Sequence, residues 1–186
     1  MRRLLLKSLV QAPLTEPAPA IDDAALAELA ARLNQASRRR LGRTLAIREV
    51  DAGSCNGCEL EIHALGNILY DLERFGLRFV ASPRHADVLL VTGPVTAHMR
   101  EALERTYQAT PDPKWVVAVG DCARNGGLFA GSPACCGGVS AVLPVDLHVP
   151  GCPPSPIVLL GGLLALLEGV STDVAVVQAG REKEKP

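Results

Sequence analysis

Aromatic side chains are scarce in this 186-residue chain, which has one Trp, two Tyr and three Phe. The net charge is also close to zero, at -1, and no recognition motif accompanies the basic residues. Proteins that bind nucleic acids usually combine a clustered basic surface with a motif of this kind. The composition therefore excludes nucleic acid from the expected partners.

Long hydrophobic runs are missing as well. The best candidate, residues 157–167, is well short of the roughly 18 apolar residues of a membrane-spanning helix, so we expect a buried helix there. Residues 1–10 begin like a secretory signal, but Lys7 interrupts the short apolar stretch and no small-residue cleavage site follows. We therefore expect a cytoplasmic protein, in which cysteines are more often metal-binding or catalytic than disulfide-bonded.

Two kinds of motif are also absent from the sequence. It contains no GxGxxG or GxxxxGK loop, so nucleotide binding has no support. No Ser, His and Asp residues occur in a context that would suggest hydrolysis. The chemistry of the protein must therefore come from other residues.

Basic residues are concentrated near the amino terminus. The first 50 residues contain nine Lys or Arg and five Asp or Glu, a net of +4, which leaves -5 for the remainder. Such a bias suits docking to an acidic partner or a membrane surface, although a solvated arm is its more usual cause. We divide the chain into a basic amino-terminal arm with an amphipathic helix (1–45), a main α/β domain (46–170) and a carboxyl-terminal tail (171–186).

Apolar segments of strand and helix length alternate through the main domain. The runs VLLVTG and WVVAVG are apolar throughout, as is typical of parallel strands covered on both faces. After a Pro- and Ala-rich linker at 11–24, the pattern predicts a helix at 24–39, strands at 46–50, 77–81, 87–92, 115–119 and 145–149, and helices at 59–75, 95–106 and after the prolines at 153, 154 and 156. This alternation predicts a doubly wound α/β sheet.

Four of the six cysteines follow predicted strands. Cys55 and Cys58 come after the first strand, Cys122 follows WVVAVGD, and Cys152 follows VDLHVPG. In open α/β sheets, ligands bind just beyond the carboxyl ends of the strands. The sequence therefore predicts that these four thiols, from three loops, share one inorganic centre.

Four thiolates suit either a tetrahedral zinc ion or an iron-sulfur cluster. Structural zinc usually takes two nearby pairs in a small module, whereas Cys122 and Cys152 are isolated in the sequence. The spacing therefore favours iron-sulfur, and a zinc-stabilised structural or assembly module is the alternative from a different class. A redox-active CxxC pair is a third reading, but it gives Cys122 and Cys152 no role.

The ordered motifs of the chain resemble a known family. DAGSCNGCELEI, ERFGLRFVASPRHADVLLVTGPVT, GDCARNGG and LPVDLHVPGCPPSP are similar to the small subunit of membrane-bound group 4 nickel-iron hydrogenases. That group includes formate hydrogenlyase and hydrogenase-4 complexes and is related to the 20 kDa B subunit of complex I. The resemblance covers residues 48–168 and is loose before them.

The resemblance implies a flavodoxin-like domain that holds one 4Fe-4S cluster through Cys55, Cys58, Cys122 and Cys152. The chain would be a non-catalytic electron-relay subunit of an oxidoreductase complex. The implied partners are a large catalytic hydrogenase-like subunit, a ferredoxin-like iron-sulfur subunit and integral membrane subunits. They would hold the chain peripherally at the cytoplasmic face of the inner membrane.

The spacing of the first two cysteines separates two branches of that resemblance. Complex I subunits of this type have two adjacent cysteines at the first ligand position, whereas this chain has CNGC, the hydrogenase-type spacing. The alternative is a complex I-like NADH-quinone oxidoreductase subunit that passes electrons to quinone at the large-subunit interface. The adjacent Cys135 and Cys136 follow Cys122 in a Gly-rich loop, and we interpret them as non-ligands.

Several other polar residues are weaker candidates for a functional role. Glu61 could carry protons beside the electron path, but a carboxylate in a first helical turn is also favoured by the helix dipole. Arg84 and His85 could tune the cluster or contact a partner, although a surface loop explains His85 better than ligation does. The remaining histidines are interpreted as ordinary helix or strand-end residues: His63, His98 and His148.

Overall fold

The structure is a computed structural model and describes residues 23–169. Residues 1–10, most of the linker at 11–24 and the tail at 171–186 lie outside the described part. The helices are α1 (Asp23–Leu41), α2 (Gly57–Ala64), α3 (Ala97–Ala109), α4 (Asp121–Asn125) and α5 (Pro156–Glu168), and the strands are β1 (Leu45–Asp51), β2 (Leu77–Phe79), β3 (Val88–Thr92), β4 (Trp115–Val119) and β5 (Leu147–Val149).

The five strands form one parallel sheet in the order β2-β1-β3-β4-β5. This is the flavodoxin-like order, so the predicted α/β fold class is confirmed. The order places β3 at the centre, between β1 and β4, and all five residues of β3 are buried. A continuous apolar strand is what a parallel sheet covered on both faces requires.

Alternation along the central strand divides the core into two apolar clusters. Val88 and Leu90 belong to the cluster that also contains buried residues of α1, α2 and α5. Leu89 and Val91 belong to the cluster on the opposite face, which includes Leu103 of α3. Because successive side chains of a strand point to opposite faces, one apolar run supplies both cores.

The amino-terminal helix α1 packs onto one of these clusters. Leu26, Ala30 and Leu33 recur at helical spacing and are buried. At the other end of α1, a guanidinium nitrogen of Arg40 donates to the carbonyl oxygens of Leu166 and Leu167, at 2.7 and 3.1 Å. These bonds pair carbonyls in the last turn of α5, of which that of Leu166 also accepts the N–H of Gly169 at 3.3 Å. The helix predicted at 24–39 is therefore present, whereas the domain boundaries at 45 and 170 stay predictions.

Helix α5 is the buried helix expected from the run at 157–167. Six of its leucines are buried against the sheet: Leu159, Leu160, Leu163, Leu164, Leu166 and Leu167. Pro156 lies in its first turn and Gly169 caps its end. Within residues 23–169, no helix has both the length and the apolar character needed to cross a bilayer.

The helix predicted at 59–75 is wrong beyond Ala64. The side chain of Asn67 accepts the backbone N–H groups of Leu69 and Tyr70, at 2.8 and 3.0 Å, and so stabilises a turn. A short 3-10 helix at Leu72–Phe75 then returns two buried side chains to the core. Their helical spacing suggested one long helix. The other strand and helix ends differ from the prediction by three residues or fewer.

Candidate iron-sulfur site

The four cysteines beyond the strand ends belong to three loops at one edge of the sheet. Cys55 lies between β1 and α2, Cys58 lies in the first turn of α2, Cys122 follows β4 by three residues, and Cys152 follows β5 by three residues. Cys55 and Cys152 are exposed, whereas Cys58 and Cys122 are partly buried. The predicted placement beyond three parallel strands is thus present in the fold.

Glycines allow these loops to approach the thiols closely. A Cβ atom at Gly120 would lie 2.8 Å from Sγ of Cys58 and 3.3 Å from the carbonyl oxygen of Gly151. A Cβ atom at Gly127 would lie 2.6 Å from Sγ of Cys122. Real Cβ atoms do not come this near to other atoms, so side chains at these positions would displace the thiols. The glycines leave room for the sulfurs.

Backbone hydrogen bonds join the loops that carry Cys122 and Cys152. The N–H of Asp121 donates to the carbonyl of Gly151 at 2.9 Å. In return, the carboxylate of Asp121 accepts the N–H of Gly151 at 3.1 Å. This reciprocal pair fixes the spacing of the two cysteines that are far apart in sequence.

A second carboxylate organises the loop that carries Cys55. Oδ1 of Asp51, at the end of β1, accepts the N–H groups of Gly53 and Ser54 at 2.8 and 2.7 Å. Ser54 packs so closely on Gly93, which follows β3, that a Cβ atom there would lie 2.6 Å from Cα of Ser54. The loop after β1 therefore passes over the end of β3 toward β4.

The electrostatics of the thiols show that they are neighbours. Burial, together with the negative charges of Glu59, Cys55, Cys122 and Cys152, raises the pKa of Cys58 to about 12. Burial also raises the pKa of Cys122, to which Cys152, Cys55 and Asp121 contribute, whereas a hydrogen bond from the backbone of Leu128 lowers it. Each thiolate thus disfavours the next, and a positively charged centre among them would relieve that repulsion.

The four thiols do not form a cage for a single ion. Among residues 23–169, no three Cys, His, Asp or Glu side chains are arranged so that they could hold one metal ion. The thiols still affect one another's pKa, because charges interact over distances well beyond the 2.3 Å length of a zinc-sulfur bond. Four cysteine thiolates are the ligands of a 4Fe-4S cluster, and the glycines leave space around the sulfur atoms, so the donor set fits such a cluster.

The raised pKa of Cys58 predicts slow alkylation of the cluster-free chain. The thiolate is the reactive form, so a pKa near 12 implies that the rate at Cys58 increases about tenfold per pH unit from pH 7 to 10. In denaturant the labelling rate of the same thiol should reach a plateau above its ordinary pKa of about 8.5. Iodoacetamide labelling read by peptide mass spectrometry measures both. A plateau near pH 9 in the folded chain would contradict the burial of Cys58.

Cys135 and Cys136 occupy a different part of the edge. The N–H of Cys136 donates to the carbonyl of Val95 at 2.7 Å, and its side chain packs against the apolar cluster on the α3 face. Neither thiol is among the groups that shift the pKa of Cys58 or Cys122. Their assignment as non-ligands stays a prediction, and this placement supports it.

Glu59 is the acidic residue that sequence reasoning missed. Glu61, which we singled out from the sequence, is half-buried, whereas Glu59 is buried and is the charged residue with the largest effect on the pKa of Cys58. The signal was present, because Glu59 directly follows the ligand motif in CNGCE. His85 is exposed, in agreement with its interpretation as a surface residue, and Arg84, His63 and His98 are exposed as well.

Known proteins are similar to the part of the chain that contains the four cysteines. The sequence pattern of the family described as NADH ubiquinone oxidoreductase, 20 kDa subunit, matches residues 55–166. A probable membrane-bound hydrogenase subunit (mbhJ) of Pyrococcus furiosus is 48% identical over 128 residues, which is 69% of this chain and 77% of that protein. Formate hydrogenlyase subunit 7 of Escherichia coli is 39% identical over 170 residues, which is 91% of this chain and 65% of that protein. The chain thus spans just under two thirds of the Escherichia coli relative.

A solved structure is also similar. A chain of the membrane-bound sulfane sulfur reductase, an archaeal respiratory membrane complex, matches with a TM-score of 0.61 and 35% sequence identity. The match covers 73% of this chain and 72% of that chain.

Proposed function

This chain belongs to the NADH ubiquinone oxidoreductase 20 kDa subunit family, and we propose that it is an electron-transfer subunit holding one 4Fe-4S cluster. The ligands would be Cys55, Cys58, Cys122 and Cys152. The observation that carries the proposal is the position of these four cysteines in three loops beyond the carboxyl ends of β1, β4 and β5. When bound, a 4Fe-4S cluster supplies a one-electron donor and acceptor.

The residues of this chain would hold and tune that centre. The Asp121–Gly151 pair fixes the separation of two ligand loops. The backbone N–H of Leu128 donates to Cys122 and would favour its thiolate form. Hydrogen bonds and charges of this kind set the potential of an iron-sulfur centre. Glu59, beside Cys58, would oppose added negative charge and so favour the oxidised state.

Exposure of the ligands supports a covering partner subunit. A large exposed apolar side chain follows each of three cysteines within six residues, and Leu128, after Cys122, is 97% exposed. The others are Leu60 near Cys58 and Ile157 near Cys152. Large apolar side chains exposed near one site are the kind of surface that a covering partner would bury. We infer that a large catalytic subunit covers this edge, where electrons would pass between its active site and the cluster.

The relatives support a relay whose reaction is set by that partner. Their names refer to a membrane-bound hydrogenase, a formate hydrogenlyase and a sulfane sulfur reductase. Similar chains thus occur in complexes with different reactions. Together with the CNGC spacing, these names favour a hydrogenase-like complex over a quinone reductase. We further infer a ferredoxin-like subunit as electron partner, integral membrane subunits as the anchor, and a peripheral position on the cytoplasmic face.

Metal analysis of anaerobically purified protein tests this proposal. We expect a brown chain with about four irons and about four acid-labile sulfides, together with a paramagnetic signal after reduction. Iron, sulfide and zinc are measured per chain, and the reduced sample is examined by electron paramagnetic resonance. A colourless chain with one zinc would exclude the iron-sulfur function and favour a zinc-stabilised structural module.

A further inference from the structure

The backbone of Ala52 is fixed at the start of the loop that carries Cys55. Ala52 directly follows β1, is fully buried, and precedes Cys55 by three residues. Its N–H donates to the carbonyl of Thr92 at 3.1 Å. Its carbonyl accepts two donors of Thr96, the backbone N–H at 2.9 Å and the hydroxyl group at 3.2 Å. Ala52 is therefore held between the end of β3 and Thr96.

The side chain of Thr96 also packs on the next residue of this loop. A Cβ atom at Gly53 would lie 2.3 Å from the methyl carbon of Thr96 and 3.1 Å from its hydroxyl oxygen. Since no Cβ atom fits so close to another atom, the Thr96 side chain lies directly against the backbone of the loop. The hydroxyl group thus binds Ala52, and the methyl group covers Gly53.

Hydrogen bonds within the loop extend this placement to the ligand. Oδ1 of Asp51 accepts two N–H groups of the loop, and Oγ of Ser54 accepts the N–H of Asn56 at 3.0 Å. Cys55 lies between these last two residues. Because the loop is bonded within itself, a shift at its start would move Cys55.

Thr96 also connects the loop to α4, the helix that carries Cys122. The backbone at 95–97 makes three hydrogen bonds, of 2.7 to 3.0 Å, with the segment that precedes Gly138. A Cβ atom at Gly138 would lie 2.3 Å from the carbonyl oxygen of Arg124 in α4. Continuous contacts therefore run from the loop through Thr96 to α4.

We propose that Thr96 is a positioning residue for the cluster, and that its hydroxyl group sets the position of Cys55 relative to Cys122. The proposal rests on the proposed function, because it concerns a ligand of that cluster. The Asp121–Gly151 pair joins two of the three ligand loops to each other. Thr96 attaches the third loop to them.

Removal of the hydroxyl group at nearly constant shape tests the proposal. Wild-type and variant chains are reconstituted anaerobically with iron and sulfide, and iron release to EDTA is followed by the loss of visible absorbance. We expect Thr96→Val to release iron about five times faster than the wild type, the factor that corresponds to one lost hydrogen bond between neutral groups. Thr96→Ser keeps the hydroxyl group and should restore the wild-type rate. Thr106→Val is the matched control, because that hydroxyl group binds the carbonyl of Ala102 within α3.

Labelling of individual thiols separates positioning from general stability. The hydroxyl oxygen of Thr96 also accepts the N–H of Met99 at 3.4 Å as the cap of α3, so its loss weakens that helix too. Iodoacetamide labelling during iron release, read by tandem mass spectrometry, gives the labelling rate of Cys55 relative to that of Cys122. General loss of stability would raise both rates together. We expect the ratio to rise about fivefold in Thr96→Val and to stay at the wild-type value in Thr106→Val.

Two results would overturn the positioning role while leaving the cluster in place. One is an unchanged labelling ratio in Thr96→Val, which would assign any faster iron release to lower stability. The other is iron release from Thr96→Val at the rate of Thr106→Val. A wild-type chain that takes up no iron on reconstitution would instead overturn the proposed function, and this inference with it.

Discussion

Replacement of Cys122 by Ala is expected to abolish the iron-sulfur cluster. A 4Fe-4S cluster is held by four thiolates, and the thiols that raise the pKa of Cys58 are the other three proposed ligands. The carboxylate of Asp121 accepts the N–H of Gly151 and is held beside the loop that carries Cys152. With Ala at position 122, one iron would therefore lose its protein ligand.

The measurement is iron and sulfide per chain after anaerobic reconstitution, with the reduced-state paramagnetic spectrum as a second reading. We expect near-complete loss of both in the Cys122→Ala chain, and the same in the variants of Cys55, Cys58 and Cys152. The chain offers matched controls, because Cys135→Ala and Cys136→Ala remove the same atom from the same sheet edge. Both should retain the wild-type iron content. A full cluster in Cys122→Ala, or its loss in a control, would show that the ligand set is different.

The strands were predictable because their sequence pattern depends only on burial. The central strand VLLVT is apolar at every position, and a parallel strand covered on both faces has no polar side to reveal. The long helix at 59–75 was wrong for a local reason. Asn67 binds two backbone N–H groups in a turn, while Leu72 and Phe75 keep helical spacing by packing on the core. Apolar periodicity does not distinguish these two arrangements.

The sequence predicts the four cysteines of the candidate site, but it does not predict the contacts that hold their loops in place. Placement beyond the strand ends predicts Cys55, Cys58, Cys122 and Cys152 as ligands, and this set stays a prediction. The Asp121–Gly151 pair depends on two loops that meet only in the folded chain. For the same reason, the sequence singled out Glu61 by resemblance, whereas burial and proximity to Cys58 distinguish Glu59.

Gly120→Ala is the second substitution with a large expected effect. Gly120 has φ 87° and ψ 164°, a region that is essentially restricted to glycine and costs a residue with a side chain about 1–3 kcal/mol. The added methyl group would also lie 2.8 Å from Sγ of Cys58. One atom would therefore strain the backbone before Cys122 and push a second ligand out of place.

We expect the Gly120→Ala chain to bind less than half of the wild-type iron and to unfold at a lower denaturant concentration. Gly161→Ala is the matched control, because Gly161 lies inside α5 and a Cβ atom there would contact nothing within 4 Å. That change should leave the iron content intact and stabilise the chain by about 0.5–1 kcal/mol, since alanine favours a helix more than glycine does. Iron analysis and urea unfolding of the two variants separate loss of the cluster from general loss of stability. If Gly120→Ala kept full iron and an unchanged reduced-state spectrum, the close approach of Gly120 to Cys58 would have no part in holding the cluster, and the strain alone would explain any loss of stability.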